Sequence, residues 1–338
     1  MGVTVRIIDQ AKAKALNEIS GCARTPLQQD WRYGAAMAAQ GITRFCVLCE
    51  SHDHKPVAWL QVYKRRIGGL VPIAFIQRGI CWLVPDSHRD AARERQAKYA
   101  LIDEIQSAIA PRIVWSSEVA VARTPDDTLA GEDICDGDLP KRARQVATGD
   151  STVWLDLSSD EAALRARLNG KWRNGLKRAE AADIDVQAFQ NWNHQADALL
   201  KREAAQQRIK RYSALPTTLA RGFHEASVVT RTPSCLLVQA VQTGAKTDAP
   251  LASALFLIHG QSATYHIGWS SDAGRAQNAQ NLVLWRTLGE LKALGVTTLD
   301  LGGVNTRTAP GLARFKLGMG GMPVTYAGTY FISGRPRL

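Results

Sequence analysis

Residues 296–321, VTTLDLGGVNTRTAPGLARFKLGMGG, carry the pattern on which the prediction of the fold rests. The apolar run 296–301, interrupted by Asp300 and followed by two glycines, predicts a strand that enters a turn, because paired glycines adopt backbone angles that other residues resist. Asn305 and a Pro-Gly pair then indicate a loop. Six glycines within twenty residues, near Arg307, Arg314 and Lys316, predict a backbone that an anionic or polar ligand approaches closely. A glycine-rich surface loop between two strands is the alternative, and spacing does not separate the two.

The composition describes a globular chain with a basic surface. Its 338 residues suffice for two domains, and 45% of them are apolar. No window approaches the roughly 20 apolar residues that span a bilayer, and the first residues lack the long apolar core of a secretory signal, so we expect a cytoplasmic protein. The net charge of +11 favours a polyanionic partner such as nucleic acid, a nucleotide-sugar or an anionic lipid surface. A mildly basic enzyme with a small substrate is the alternative.

The six cysteines are scattered through apolar contexts, which is typical of a reducing compartment. Cys46 and Cys49 form a CxxC, but a single pair is a weak signal for zinc and this run reads as a buried strand. The histidines show no paired spacing beyond His52 and His54. We therefore predict no metal site.

Runs of apolar and turn residues predict the same order of elements in each half of the chain: a strand meander, a polar loop, a helix and a strand. These elements are 73–84, 89–110 and 112–122 in the first half, and 251–269, 278–294 and 296–301 in the second. This order is typical of a mixed sheet with helices packed on it, and it predicts an α/β (α+β) fold. The expected domains are 1–150 and 151–321.

Two basic helices are expected at the start of the second half. The first begins at Ser158 or Ser159, which would cap it, and runs on through 165–186; the second covers 197–211. Lys171, Arg173 and Lys177 on the first helix are candidates for RNA or phosphate contact, although a solvated helix face is the more common role of such residues. A final strand is expected at 324–331.

Several motifs, taken together, resemble the Fem-type peptidoglycan bridge aminoacyltransferases, which are built from two acetyltransferase-like (GNAT) folds. The resemblance covers most of the chain, and its motifs occur in the expected order. They are LQQDWRYG at 27–34, LNGKWRNGLKRAEAADIDV at 168–186, RIKRY at 208–212, TYHIGWSS at 264–271, and DLGG followed by GLARFKLGMGG at 300–321.

The resemblance implies roles for individual residues. Lys316, in the FK pair, would stabilise the transition state of aminoacyl transfer, and Arg208 with Tyr212 would hold phosphates of the acceptor. Tyr265 would help to position it. The remaining candidates for substrate binding are Trp31, Tyr33, Asn305, Arg307 and Arg314. In the family the last segment, here about 322–338, packs back on the first domain.

The resemblance also implies binding partners for the protein. It implies an aminoacyl-tRNA donor and an acceptor such as UDP-MurNAc-pentapeptide or lipid II, with a peripheral contact at the inner face of the membrane left open. Met37 replaces a family lysine that contacts the nucleotide-sugar phosphate, and Ile267 replaces a tyrosine, so the resemblance does not identify the acceptor. The oligomeric state is not predicted.

The turn before the last long helix bears on the cofactor. Acyl-CoA-dependent acetyltransferases cradle a pyrophosphate there on a glycine-containing Q/R-x-x-G-x-G/A turn. Counted from Arg275, the glycine positions hold Asn278 and Gln280. Their side chains would crowd a pyrophosphate, so we predict no coenzyme A and no other cofactor.

The first hypothesis is therefore an aminoacyltransferase that joins an aminoacyl group from tRNA to an amine of a peptidoglycan precursor. The second is a GNAT-type N-acyltransferase that uses acyl-CoA or acyl carrier protein on another amine. The third is a non-catalytic RNA- or envelope-binding protein that has kept the fold.

Overall fold

The computed structural model describes residues 3–19, 25–83, 90–116, 139–210, 216–228, 233–244 and 249–334. The chain divides into two units, one formed by 1–151 with 324–338 and the other by 152–323. Each unit is built around its own sheet, because each has apolar strands whose faces require a helical cover.

The first unit contains most of the N-terminal half. Its helices are α1 (Gln10–Ile19), α2 (Trp31–Ala39) and α3 (Ala91–Glu104), with a 3₁₀ turn at Leu27–Gln29 and a π-helical turn at Ile105–Ile109 that continues α3. Its strands are β1 (Val3–Ile8), β2 (Thr43–Ser51), β3 (Pro56–Ile67), β4 (Val71–Ile76), β5 (Cys81–Trp82), β6 (Arg112–Ser116), β7 (Ala143–Ala147) and, from the end of the chain, β15 (Thr329–Ile332).

Among the described residues these strands form an eight-stranded sheet in the order β1-β2-β3-β4-β6-β15-β7, with β5 paired to β3. β15 is antiparallel to both β6 and β7. The buried Asp30 caps α2 by accepting a hydrogen bond from the Arg32 amide and also pairs with the Arg32 guanidinium at 2.8 Å. This cap and ion pair hold the start of α2 in place within the segment 25–39.

The second unit contains the remaining elements. Its helices are α4 (Glu161–Arg167), α5 (Gly170–Glu180), α6 (His194–Lys210), α7 (Thr217–Val228), α8 (Asp272–Ala276), α9 (Ala279–Ala293) and α10 (Pro310–Leu317). Its strands are β8 (Ser151–Asp156), β9 (Ile184–Phe189), β10 (Cys235–Gln242), β11 (Pro250–His259), β12 (Ser262–Ser270), β13 (Thr298–Asp300) and β14 (Met322–Thr325), which lies at the boundary between the units.

The described strands of this sheet have the order β14-β8-β13-β12-β11-β10-β9. β12 and β13 run parallel, whereas the other pairs with a recorded register are antiparallel. One face of the sheet buries a core to which α4, α5 and α9 contribute, including Leu284, Leu288 and Leu291 of α9. The predicted mixed α/β fold is confirmed.

Several predicted elements need correction. Asp160, rather than Ser158 or Ser159, caps α4, and Asn169 begins a separate helix, α5, so that 158–186 is two helices and the strand β9. The predicted strand 73–84 is broken at Arg78 and Gly79, both with positive φ. The predicted strand 324–331 is likewise two strands, β14 and β15, since Gly328 has a φ of 112°.

The end of the predicted strand 112–122 lies outside the described residues. Within the described part of the chain, no helix is long and apolar enough to cross a membrane. In the same part, no group of three or more His, Cys, Asp or Glu side chains is placed to hold a metal ion.

Candidate functional site

The candidate site lies in the second unit, where the parallel strands β12 and β13 separate. They pair from Ser262 with Thr298 to Thr264 with Asp300; there β13 ends, whereas β12 continues for six residues to Ser270. At the same point the register of β12 against β11 shifts, because Phe256 opposes Tyr265 while Leu255 opposes Ile267. His266 is therefore an extra residue, and such a bulge bends a strand away from its neighbour.

The chain leaves β13 through a turn that fixes Asp300. Oδ1 of Asp300 accepts hydrogen bonds from the Thr152 hydroxyl and, at 2.8 Å, from the amide of Gly302. Gly302 has a φ of 72°, a backbone angle that residues with a side chain resist. This conformation explains why the turn requires a glycine, as the sequence predicted. The turn leaves the carbonyl of Gly303 directed at Lys316.

Lys316, on α10, is a buried cation close to this point. Only 7% of its surface is exposed, and Nζ donates a hydrogen bond of 2.9 Å to the Gly303 carbonyl. Nζ also lies 5.7 Å from the centre of the Tyr265 ring. Burial lowers the pKa of Lys316 to about 8, and the nearby Asp300 carboxylate opposes that shift. A desolvated ammonium with a lowered pKa is typical of a functional site.

The glycines at the end of the motif position α10 against α5. Phe315 packs on Trp172 with ring centres 5.9 Å apart. A Cβ on Gly320 would overlap the carbonyl oxygen of Arg167, and one on Gly321 would lie 2.6 Å from the carbonyl oxygen of Trp154. The interpretation that a ligand approaches these glycines is therefore wrong for Gly320 and Gly321, because the protein's own backbone fills that space.

Tyr265 forms the other wall of the site. Its ring stacks on Phe256 at 5.3 Å and folds along its own strand, where a Cβ on Gly268 would overlap the hydroxyl. That hydroxyl accepts a 3.1 Å hydrogen bond from the Gln280 amide, and Gln280 in turn accepts one from Ser270. Burial raises the pKa of Tyr265, so the phenol stays neutral.

The turn before α9 differs from a glycine turn in two ways. Asn278 is the N-cap residue of α9 and has a left-handed φ of 56°, but its side chain makes no capping hydrogen bond. Asn281 donates to the Trp172 carbonyl, and Gly175 on α5 lies against both asparagines. Gln280 is held by Tyr265 and Ser270. Glycines at the start of α9 would leave open space beside the backbone. Here the side chains of Asn278 and Gln280 occupy it.

His266, the extra residue of the bulge, was not selected by any sequence pattern. Its Nε2 is buried and has no hydrogen-bond partner among the described residues. Burial lowers its pKa to about 4, so the imidazole is neutral near pH 7. A bulge depends on pairing with β11, and no local sequence signal marks it.

The other predicted site residues of the second unit are more dispersed. Arg208 is exposed on α6, while Tyr212 lies outside the described residues. Asn305 accepts hydrogen bonds from the amides of Arg307 and Thr308, so its side chain shapes the loop. Arg307 and Arg314 are exposed, the latter donating to the carbonyl of Pro310 within α10.

The basic residues of α5 have two kinds of surroundings. Lys171 and Lys177 are exposed. Arg173 is half-buried and donates to the carbonyls of Ala166 and Leu168, at the end of α4. Its guanidinium therefore ties two helices together.

Trp31 and Tyr33, the predicted residues of the first unit, both lie on α2. Trp31 is half-buried with the Lys14 ammonium 5.6 Å from its ring centre. Tyr33 is buried, donates to the side chain of Gln77, and has its pKa raised to about 12 by burial.

Comparison with known families found a match in the second unit. Residues 164–317 match the family model described as Acetyltransferase (GNAT) domain. The match covers most of the second unit, 152–323. The predicted enzyme class, acyltransferase, is confirmed. No curated protein sequence matches the chain.

Solved structures extend the likeness to the whole chain. FemX is similar with a TM-score of 0.76 at 13% identity, over 98% of this chain and 97% of FemX. A tandem GNAT protein from the clavulanic acid biosynthesis pathway has a TM-score of 0.54 at 12% identity, over 99% and 100% of the two chains. L-PGS from Bacillus licheniformis has a TM-score of 0.52 at 12% identity, over 97% and 92%. The predicted resemblance to Fem-type proteins is thus confirmed as a likeness of fold.

Proposed function

We propose that the protein is an aminoacyltransferase that forms an amide bond between an aminoacyl group carried by tRNA and an amine of a peptidoglycan precursor. The observation that carries the proposal is Lys316, a buried ammonium with a lowered pKa at the point where β12 and β13 separate. Ligands of α/β sheets bind at the carboxyl ends of such diverging strands. The likeness of fold to FemX supports the choice of reaction.

The main requirement of this aminoacyl transfer is a cation positioned to stabilise an oxyanion. The acceptor amine attacks the carbonyl carbon of the aminoacyl ester, an oxyanion develops, and the ester C–O bond breaks. The ribose hydroxyl of the tRNA then leaves with the proton that the amine loses. Lys316 would stabilise the oxyanion, since a charge in a water-poor site is worth more than in water. The Gly303 carbonyl and the Tyr265 ring hold that ammonium in place.

The proposed substrate contacts remain those expected from the sequence. Arg208, with Tyr212, would bind phosphates of the acceptor, and Lys171 and Lys177 on the exposed face of α5 would contact RNA. Binding to RNA through such residues would weaken steeply as salt rises. We propose that Arg173 contributes less, because its guanidinium already serves α4.

A second candidate is transfer from acyl-CoA, which the match to an acetyltransferase domain favours. The turn at the start of α9 opposes it. Asn278 and Gln280 occupy the positions where glycines would let backbone amides approach a pyrophosphate. We therefore rank aminoacyl transfer first.

The experiment is transfer of radiolabelled amino acids from a charged total-tRNA pool to lipid II or UDP-MurNAc-pentapeptide, with a parallel acetyl-CoA assay. Lys316→Ala should lower kcat by about 10²–10³-fold, the usual effect of removing one oxyanion-stabilising group. Lys55→Ala, at a side chain that is 80% exposed, is the matched control and should leave the rate unchanged. Turnover of acetyl-CoA without any label from tRNA would reject the first candidate in favour of the second.

The pH profile separates two roles for Lys316. As a cation, Lys316 loses function as pH rises through about 8, where it loses its proton. The rate relative to Lys316→Arg, whose guanidinium stays charged, should therefore fall through that range. A ratio that rises instead would mean that the neutral amine acts as a base. Deprotonation of the acceptor amine affects both enzymes equally and cancels in the ratio.

A further inference from the structure

The hairpin between β3 and β4 in the first unit ends in a tip that projects into solvent. Ile67 pairs with Val71, and Gly68 and Gly69 lie between them with φ values of 58° and 74°. Leu70 closes the turn by donating its amide to the Ile67 carbonyl. A Cβ added to either glycine would have nothing within 4 Å, so no other described part of the chain covers the tip.

This tip exposes an unusual amount of apolar side chain. Ile67 is 57% exposed, Leu70 is 81% exposed and Val71 is 37% exposed. Ile67 and Val71 share a face because they are directly opposed across the two strands. Single exposed apolar residues need no explanation, but a contiguous apolar group at a projecting tip indicates a contact surface.

The residues directly before the tip are basic. β3 passes from the buried Tyr63 to the half-buried Lys64, whose ammonium lies 6.0 Å from the Phe45 ring, and then to the exposed Arg65 and Arg66. The sequence contains no Asp or Glu at positions 54–85, so this positive charge has no acidic residue near it along the chain. The tip is thus apolar at its end and basic just behind.

We propose that this hairpin tip docks the protein on an anionic lipid surface. Ile67, Leu70 and Val71 would enter the boundary between headgroups and acyl chains, while Lys64, Arg65 and Arg66 would meet lipid phosphates. RNA would satisfy the basic residues but offers nothing to the exposed apolar ones, and an apolar protein groove would leave the basic residues unused. A lipid surface matches both halves of the tip.

The docking surface is independent of the proposed transfer reaction, because none of its residues belongs to the site around Lys316. It can be tested without any substrate. The assay is co-sedimentation of the full-length protein with vesicles of phosphatidylcholine containing phosphatidylglycerol, compared with vesicles of phosphatidylcholine alone. Binding is expected only to the vesicles that contain phosphatidylglycerol.

Two sets of variants separate the apolar and the basic contributions. Ile67→Ser with Leu70→Ser should weaken binding by about tenfold or more, since each buried apolar side chain contributes strongly to membrane affinity. Arg65→Gln with Arg66→Gln should weaken it by on the order of 25-fold, about fivefold per residue, and should reduce its dependence on salt. Val146→Ser is the matched control for Ile67→Ser, because Val146 is 60% exposed on β7 of the same sheet.

Three outcomes would overturn the proposal. Equal binding by all variants would place the lipid contact elsewhere or make it non-specific. Loss with the arginine variants but not with the apolar ones, together with competition by tRNA, would identify a polyanion site without membrane insertion. No binding of the wild-type protein to anionic vesicles would exclude docking itself. Circular dichroism of each variant checks that the serine substitutions leave the fold intact.

Discussion

Replacing Lys316 by methionine should slow transfer by about 10²–10³-fold and, at neutral pH, make the protein more stable. The pKa of Lys316 is lowered from 10.5 to about 8 because the ammonium is buried. Each pH unit of difference between the folded and unfolded pKa corresponds to about 1.4 kcal/mol, so holding this charge costs the folded state about 3 kcal/mol at pH 7. Methionine has a similar length, carries no charge and removes that cost.

The sign of the pH dependence follows from the same pKa. Below about 8 lysine is protonated in both states, and the full cost is present. Between 8 and 10.5 the unfolded chain binds more protons than the folded chain, so the contribution of this group to stability rises with pH. The advantage of Lys316→Met should therefore be largest at pH 7, at about 1–3 kcal/mol once the lost hydrogen bond to Gly303 is allowed for, and should shrink toward pH 10.

The assay is urea-induced unfolding followed by circular dichroism at pH 7 and pH 10. If the two units unfold in separate transitions, the one that the substitution shifts is compared. Lys201→Met, at an exposed lysine on α6 of the same unit, is the matched control and should change stability little at either pH. A Lys316→Met protein that is less stable at pH 7, or whose stability difference does not change with pH, would refute the reasoning.

Three further tests concern the surroundings of the site. Gly320→Ala should lower the free energy of unfolding by about 2–4 kcal/mol, because φ is 75° and a Cβ would overlap the Arg167 carbonyl, whereas Gly311→Ala in open space on α10 should not destabilise; both are measured by urea unfolding. Asn278→Gly should raise the melting temperature, since the left-handed conformation costs about 1 kcal/mol with a side chain. Tyr265→Phe should retain most of the transfer rate and Tyr265→Leu should lose it, if the ring face is what holds the ammonium.

Much of the fold could be predicted because the signals are local. The runs 43–50, 234–242 and 251–259 are apolar enough to specify buried strands, and the leucine spacing in 278–294 specifies a helix. The prediction of secondary structure failed where the local sequence signal was weak or interrupted. β9 is IDVQAF, an alternating edge strand attached to the end of a basic helix, and α10 is a helix of eight residues that begins with Pro-Gly. Both are stabilised mainly by neighbours that are distant in sequence.

In the candidate site, too, local sequence predicted some features, whereas tertiary contacts determine the others. The motif around Lys316 selected the lysine itself, and the paired glycines at 302–303 correctly predicted a turn. The burial of Nζ, its hydrogen bond to Gly303 and the lowered pKa depend on α10 packing against α5. No spacing rule conveys them, because they arise from contacts between residues far apart along the chain.

In the sequence, hydrophobic periodicity predicted the mixed α/β fold, and the resemblance of short motifs to a known family predicted two GNAT-like domains and the acyltransferase class, since both signals are carried by neighbouring residues. Only the tertiary structure decided how the site is made. A bulge at His266 shifts the register of β12 against β11, the backbone of the protein occupies the space beside Gly320 and Gly321, and the Tyr265 ring lies next to the lysine ammonium. Desolvation explains the difference, because the pKa of an ammonium depends on everything that excludes water from it, and that is settled only when the chain has packed.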